Sequence, residues 1–386
     1  MIYSDFDKSC MQRALELAER GLLTTDPNPR VGCVIGSDGV ILGEGAHLRA
    51  GEPHAEPLAL AAAGAAARGA TAYVTLEPCN HHGRTPPCVD ALLAAGVTRV
   101  VYALRDPNPR VDGSGAARLV AAGVRTECGL MEDAALVLNE GFVKRMRTGR
   151  PFVRLKTAAS VDGRVALANG ASQWITGEAA RADVQAWRGR SSAILTTAAT
   201  VIADDPRLDV RIAGASRQPL RVVLDRQLRM PPTARILNPP GKVLVFGSTD
   251  DVAGGHAATL RQRGAVVEAV AEVRAAPAGA GAPVQRNLAQ LNLARLDLAQ
   301  VLERLGSLQV NELLVESGGV LAGALLEQNL VDEWLLYLAP RLLGHDAQPL
   351  AVIQSLEQLT DARSFRIIDT AVLGDDLRLR LRPRAH

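Results

Sequence analysis

Thr71-Ala-Tyr-Val-Thr-Leu-Glu-Pro-Cys79-Asn-His-His-Gly-Arg-Thr-Pro-Pro-Cys88, read with His54-Ala55-Glu56 just upstream, decides how this chain folds. Residues 72–76 are apolar or β-branched and run straight into Glu77-Pro78-Cys79, so a strand is expected to end at a cysteine. Cys88 then opens a predicted helix over residues 89–95, closed by Gly96. Upstream, the alanine-rich residues 58–67 stop at Arg68-Gly69 and predict another helix, with His54 and Glu56 in its first turn.

Working outward, Phe6, Cys10, Ala14, Leu17 and Ala18 form one helical stripe. Residues 31–35 and 40–42, separated by Ser-Asp-Gly, read as two strands joined by a tight turn. Residues 99–103 and 124–127 are further strands. The alternation of strand and helix predicts a mostly parallel sheet covered on both faces. Side chains at helix starts after strand ends occupy the usual position of sites in open α/β sheets.

His54, Cys79 and Cys88 offer one imidazole nitrogen and two thiolates, enough for three tetrahedral positions on zinc with the fourth left to water. Zinc lowers the pKa of such a water towards neutrality. Glu56 lies two residues after His54 and can shuttle protons without ligating the metal. This H-x-E…P-C pattern marks zinc-dependent nucleobase deaminases, so hydrolytic deamination is the leading expectation. A closed structural clip would need a fourth protein ligand, which His81 or His82 could supply, but it would have no use for Glu56. Eight residues separate the two cysteines, against two in the general deaminase signature.

Composition narrows the partners. With 386 residues, 47% hydrophobic and 22% charged, the chain reads as two globular domains. Net charge is +2 and aromatics make up 3%, so neither the basic groove nor the stacking rings of a polynucleotide binder are visible. No apolar run approaches a membrane span, and the first residues lack a secretory pattern. Five cysteines, two of them expected on metal, fit a reducing cytoplasm, with Cys10, Cys33 and Cys128 expected as apolar packing.

The basic stretch Lys144-Arg-Met-Arg-Thr-Gly-Arg-Pro151 reads as a solvated linker, giving domains 1–147 and 150–386. A second α/β rhythm follows: strands at 152–157, 193–195, 220–224, 242–246, 313–316 and 333–339, with helices at 180–188 and 321–328. Residues 269–292, rich in Ala, Gly and Pro, read as an irregular excursion. Glu316-Ser-Gly-Gly-Val-Leu-Ala-Gly323 places small residues between a strand and a helix, where backbone N–H groups can approach a pyrophosphate.

Several motifs occur together: Asp26-Pro-Asn-Pro-Arg-Val-Gly-Cys33, the two metal-site motifs, Lys156-Thr-Ala-Ala-Ser-Val-Asp-Gly163, Ser172-Gln-Trp-Ile-Thr176, Ala203-Asp-Asp-Pro206, Val315-Glu-Ser-Gly-Gly319 and Ala339-Pro-Arg-Leu-Leu-Gly344. In this order they closely resemble the bifunctional riboflavin-biosynthesis family RibD, pyrimidine deaminases fused to pyrimidine reductases, over nearly the whole chain. The resemblance implies a cytidine-deaminase-like three-layer α/β domain followed by a dihydrofolate-reductase-like domain. It implies zinc, one ion per chain, on His54, Cys79 and Cys88, and removal of the 2-amino group of 2,5-diamino-6-(5-phosphoribosylamino)pyrimidin-4(3H)-one with Glu56 as acid/base. NADPH-dependent reduction of the ribosyl group to ribityl would follow.

By the same resemblance Asn28, His47, Arg84 and one of His81 and His82, taken as His82, contact the first substrate. Lys156, Asp204 and Glu316 surround the reacting sugar. Ala158, Trp174, Thr200, Asp204, Gly318, Gly319 and Gly323 match cofactor positions. Ser172, Arg188, Leu208, Arg211 and Glu316 match substrate positions, with Arg207 a weaker match. A homodimer through the reductase domain is implied. Two rivals are a nucleoside- or tRNA-type zinc deaminase with an unrelated or inactive C-terminal module, and a zinc-stapled scaffold in which Glu56 would be dispensable.

Overall fold

The computed structural model describes residues 3–82, 86–109, 111–273 and 295–384. They form two compact units, Met1–Arg150 and Pro151–His386. Among the described residues no helix is long and apolar enough to cross a membrane.

The first unit is a five-stranded sheet in the order β2-β1-β3-β4-β5, with β1 Gly32–Ser37, β2 Val40–Ala46, β3 Thr71–Leu76, β4 Arg99–Leu104 and β5 Arg125–Cys128. Alternation along the strands sends Val34, Tyr73 and Val101 to one face, against helices α1 Asp5–Glu19 and α5 Glu132–Thr148. Cys33, Ile35, Ala72, Val74 and Val100 fill the other face, under α2 Ala55–Ala63, α3 Cys88–Ala95 and α4 Ser114–Ala121. The expected three layers are present, but the sheet is mixed. β1 pairs antiparallel with both β2 and β3, and only β3–β4 and β4–β5 are parallel. The reason is local: β1 and β2 are joined by the Asp38-Gly39 turn, with no crossover helix to make them parallel.

The linker expectation for residues 144–151 needs correction. Lys144–Thr148 complete α5, and Gly149 caps it with φ 72°. Arg145 and Arg147 occupy the last turn, where cations interact favourably with the helix dipole.

The second unit has a nine-stranded sheet, β11-β10-β9-β8-β14-β6-β15-β18-β17, and two short pairs, β7 Arg164–Ala166 with β16 Gln348–Pro349 and β12 Glu272–Val273 with β13 Arg295–Leu296. Seven strands are parallel: β6 Phe152–Ser160, β8 Ala193–Thr197, β9 Leu220–Leu224, β10 Val243–Gly247, β11 Ala265–Ala269, β14 Glu312–Glu316 and β15 Glu333–Ala339. The antiparallel hairpin of β17 Phe365–Leu373 and β18 Asp376–Pro383 closes one edge. Central strands are apolar on both faces, as a doubly covered parallel sheet requires. One face carries α6 Glu178–Arg190, α7 Ala198–Asp204 and α8 Gly255–Gln262; the other carries the helices Leu298–Ser307 and Gly319–Glu327. Of the excursion expected over residues 269–292, positions 272–273 form a short strand and 274–294 lie outside the described residues.

Candidate active sites

In the first unit the ends of secondary structure bring the three donors together. His54 is the N-cap of α2, Cys79 follows β3 by three residues, and Cys88 is the first residue of α3. His54 Nδ1 lies 3.2 Å from Cys88 Sγ and 3.6 Å from Cys79 Sγ, and all three donor atoms fall within 4.8 Å of one another. Such separations are of the order of the edges of a tetrahedron around zinc, and the nitrogen-plus-two-sulfur set suits that metal. The chain's own residues therefore fit a zinc ion.

The electrostatics agree. The Cys79 thiol is pulled down to about 4, first by its hydrogen bond with Cys88 and then by His54, against burial. Cys88 is pushed up by the same partnership, so the pair shares one proton. Glu56 is 3% exposed, in hydrogen-bond contact with Cys88, and burial raises its carboxyl above the usual range. A carboxyl whose hold on a proton is strengthened by burial is suited to proton transfer.

Two other predicted residues join this site. The Asn28 side chain meets His47 Nε2 at 3.0 Å, His47 Nδ1 meets the Pro53 carbonyl at 3.0 Å, and the His47 and His54 rings stand edge to face at 5.2 Å. His47 must donate from Nδ1 to the carbonyl, so Nε2 accepts from the Asn28 amide; burial lowers the His47 pKa and favours this neutral form. His82 is exposed and is not one of the clustered donors, whereas His81 Nδ1 is buried without a hydrogen-bond partner among the described residues. Arg84 lies outside the described residues.

Two buried acidic residues that the sequence reading missed lie beside the Cys79 loop. Glu77, 3% exposed, accepts backbone N–H bonds from Asp106, Gly113 and Ala116 at 3.3, 3.0 and 3.1 Å. Asp106 is buried near Cys79, and burial pushes its carboxyl up to about 7. The signal was present in Asp106-Pro-Asn-Pro, which repeats the Asp26-Pro-Asn-Pro motif.

In the second unit a cavity of about 930 Å³ opens at the C-terminal ends of the parallel strands. It is lined by Lys156, Ala158, Ser172, Trp174, Arg188, Thr200, Asp204, Leu208, Arg211 and Glu316, all expected there, by Arg207, the weaker match, and also by Arg181 and Arg235. Arg188 grips Glu316 with two bonds of 2.6 and 2.9 Å. Burial alone would raise the Glu316 pKa, but Arg188 and Lys156 hold it below the ordinary value. Burial depresses the Lys156 pKa against the pull of Glu316. Arg207 and Arg211 both pair with Asp209, leaving one surplus positive charge beside the cavity. Ser172 Oγ donates to Asp204 at 3.2 Å, and the exposed Trp174 ring stacks under Arg181 at 4.6 Å.

The glycines behave differently from one another. A side chain on Gly319 or Gly323 would meet the Pro349 or Val352 carbonyl at 2.3 or 1.8 Å, so both serve helix packing against the 349–352 segment. Gly318 has open space where a Cβ would point, and it alone of the three leaves room for a ligand there.

Fold and site together define a class: a zinc-binding deaminase domain followed by a reductase domain. Residues 4–104 match the cytidine and deoxycytidylate deaminase zinc-binding region, and residues 151–373 match the RibD C-terminal domain. Riboflavin biosynthesis protein RibD of Escherichia coli K12 is 48% identical over 387 residues, covering 97% of this chain and 99% of that one. A solved structure of Acinetobacter baumannii RibD is 44% identical with a TM-score of 0.87, covering 98% and 99%. The Thermotoga maritima diaminohydroxyphosphoribosylaminopyrimidine deaminase/5-amino-6-(5-phosphoribosylamino)uracil reductase is 31% identical, with a TM-score of 0.81 and the same coverage. The chain belongs to the RibD family of bifunctional riboflavin-biosynthesis enzymes, with both a deaminase and a reductase domain.

Proposed function

We propose that residues 1–147 deaminate 2,5-diamino-6-(5-phosphoribosylamino)pyrimidin-4(3H)-one at C2, and that residues 150–386 then reduce the ribosyl group of the aminouracil product with NADPH. The observation that carries this reading is a buried glutamate standing beside three converging metal donors without joining them. Zinc, one ion held by His54, Cys79 and Cys88, would supply a Lewis acid that makes water acidic near neutral pH. Glu56 takes the water proton, passes it to a ring nitrogen and assists departure of the 2-amino group as ammonia. Asn28, its amide oriented by His47, offers its carbonyl oxygen to a substrate N–H. His82 and Arg84 complete our assignment of this pocket.

Bound NADPH would supply the hydride. Its binding is assigned to Ala158, Trp174, Thr200, Asp204, Gly318 and, through the helix they pack, Gly319 and Gly323. Opening of the N-linked ribose gives an imine whose C1′ accepts the hydride while the freed ring oxygen takes a proton. Lys156, with its lowered pKa beside Glu316, is suited to give that proton. Arg188 and Arg211 face the substrate phosphate. Arg207 and Arg211 exceed Asp209 by one charge, which suits an anionic phosphate group. Ser172 and Leu208 complete the substrate wall. A homodimer through the reductase unit and a cytoplasmic location belong to the same reading; all five cysteines are free thiols.

Point variants test the division of labour. Glu56→Gln should retain stoichiometric zinc, lose ammonia release by about 100-fold or more, and still reduce the preformed aminouracil. Glu316→Gln should do the reverse. Ammonia release by Glu56→Gln at the wild-type rate would overturn the assignment.

A further inference from the structure

The loop that carries Asn28 lies ahead of the first strand of the sheet. Residues 26–31 precede β1, which begins only at Gly32. Arg30, 7% exposed, nevertheless has both backbone groups satisfied by one side chain. Its N–H donates to Asn139 Oδ1 at 2.8 Å, and its carbonyl accepts from Asn139 Nδ2 at 2.9 Å. A carboxamide here makes the pair of bonds that a neighbouring strand would otherwise make.

The clasp is reciprocal. Arg30 Nη1 donates to the Leu138 carbonyl at 2.7 Å, on the residue preceding Asn139, and Nη2 reaches the Leu22 carbonyl at 3.4 Å. Asn139 is 1% exposed and sits inside α5, yet its backbone leaves helical geometry with φ −116° and ψ 17°. Asparagine is a poor helix former, and this kink interrupts a 17-residue helix without serving the helix itself. What the kink does serve is the Arg30 segment. Two residues before Arg30, the Asn28 amide meets His47, whose ring packs on the metal donor His54.

We infer that Asn139 is a positioning residue of the deamination site: by clasping the backbone of Arg30 it fixes residues 26–30 so that the Asn28 amide meets the substrate. This rests on the reading of Asn28 as a substrate contact. Asparagine is the side chain that offers both a donor and an acceptor at this length. Aspartate would keep the acceptor and set a carboxylate oxygen against the Arg30 carbonyl.

The test is a double-mutant cycle on the zinc-loaded, full-length protein with Asn28→Ala, Asn139→Asp and the combination. Zinc content and NADPH-dependent reduction of the aminouracil serve as internal controls. Asn139→Asp should lower deamination kcat/KM by about tenfold or more, with zinc and reduction unchanged. In the Asn28→Ala background the same change should add less than about a twofold loss, because both changes then act through one contact. If the two losses multiply, or if Asn139→Asp deaminates normally, the positioning role is overturned. Full deamination by Asn28→Ala alone would instead overturn the reading of Asn28, and the inference with it. Should Asn139→Asp melt below the assay temperature, Asn139→Ser, which removes the amide without adding charge, is read in the same cycle.

Discussion

Arg188 and Glu316 form a shielded ion pair in the cavity that we propose as the reductase site. Glu316 is 11% exposed and Arg188 12%, so their two-bond pair is held largely out of water. Removing Arg188 strips Glu316 of its hydrogen-bonded partner and leaves only Lys156 and Arg211 to offset a buried charge. Arg188→Ala should therefore lower reduction kcat/KM by about 100-fold or more while deamination stays unchanged. The pH dependence follows from the same pair. Burial raises the Glu316 pKa and Arg188 is the first of the groups that pull it down, so losing Arg188 must raise it. The acid limb of NADPH oxidation, measured from pH 4 to 8, should move to higher pH in the variant. An unmoved limb would mean that Arg188 does not govern the ionisation of Glu316. At this scale much was legible in the sequence: the two cysteines, His54 and Glu56 carry their chemistry in their residue types. Glu77 did not, because its carboxylate is recognisable only once the backbone N–H groups facing it are known.

Between elements, close approach decides what can be substituted. A Cβ on Gly115, the second residue of α4, would lie 2.0 Å from the Pro78 carbonyl, next to Cys79. Gly115→Ala must push the Cys79 loop away from α4, and a weaker hold on zinc in chelator competition is the expected outcome; unchanged affinity would contradict it. In the second unit Arg154 is fully buried between Glu312 of β14 and Glu333 of β15, and Arg380 and Arg382 of β18 also reach Glu333. Burial would raise the Glu333 pKa, but the arginines pull it down to about 2. A lowered folded-state pKa means that the stabilisation is complete above the unfolded value near 4.5 and is lost as pH falls towards 2. Glu333→Gln should cost about 3 kcal/mol at pH 7, with the difference from wild type shrinking as pH falls below 4.5 in denaturant titrations. Most central elements were legible from their apolar runs. β9 and β15 fell where the sequence placed them, because residues 222–224 and 334–339 are apolar runs of the kind that strands buried on both faces carry. The β17–β18 hairpin was not read, although Leu377-Arg-Leu-Arg-Leu-Arg382 alternates at the strand period. Its arginines gather over the Trp187 ring and around Glu333, a partnership visible only in three dimensions.

At the scale of the molecule, each unit has its own buried cores, and the deaminase donors and the reductase cavity belong to different units. The two chemistries are therefore expected to fail independently. Stripping zinc with a chelator should stop ammonia release and leave reduction of supplied aminouracil intact, with zinc restoring the first activity. The order of the steps is the central claim, and one experiment reads it directly. The purified protein is incubated with the diaminopyrimidine ribotide, with and without NADPH, while ammonia and nicotinamide oxidation are followed together. The account predicts ammonia in both incubations, and NADPH consumption only after ammonia has begun to accumulate. NADPH consumed before any ammonia appears, or no ammonia from the zinc-loaded protein, would contradict it.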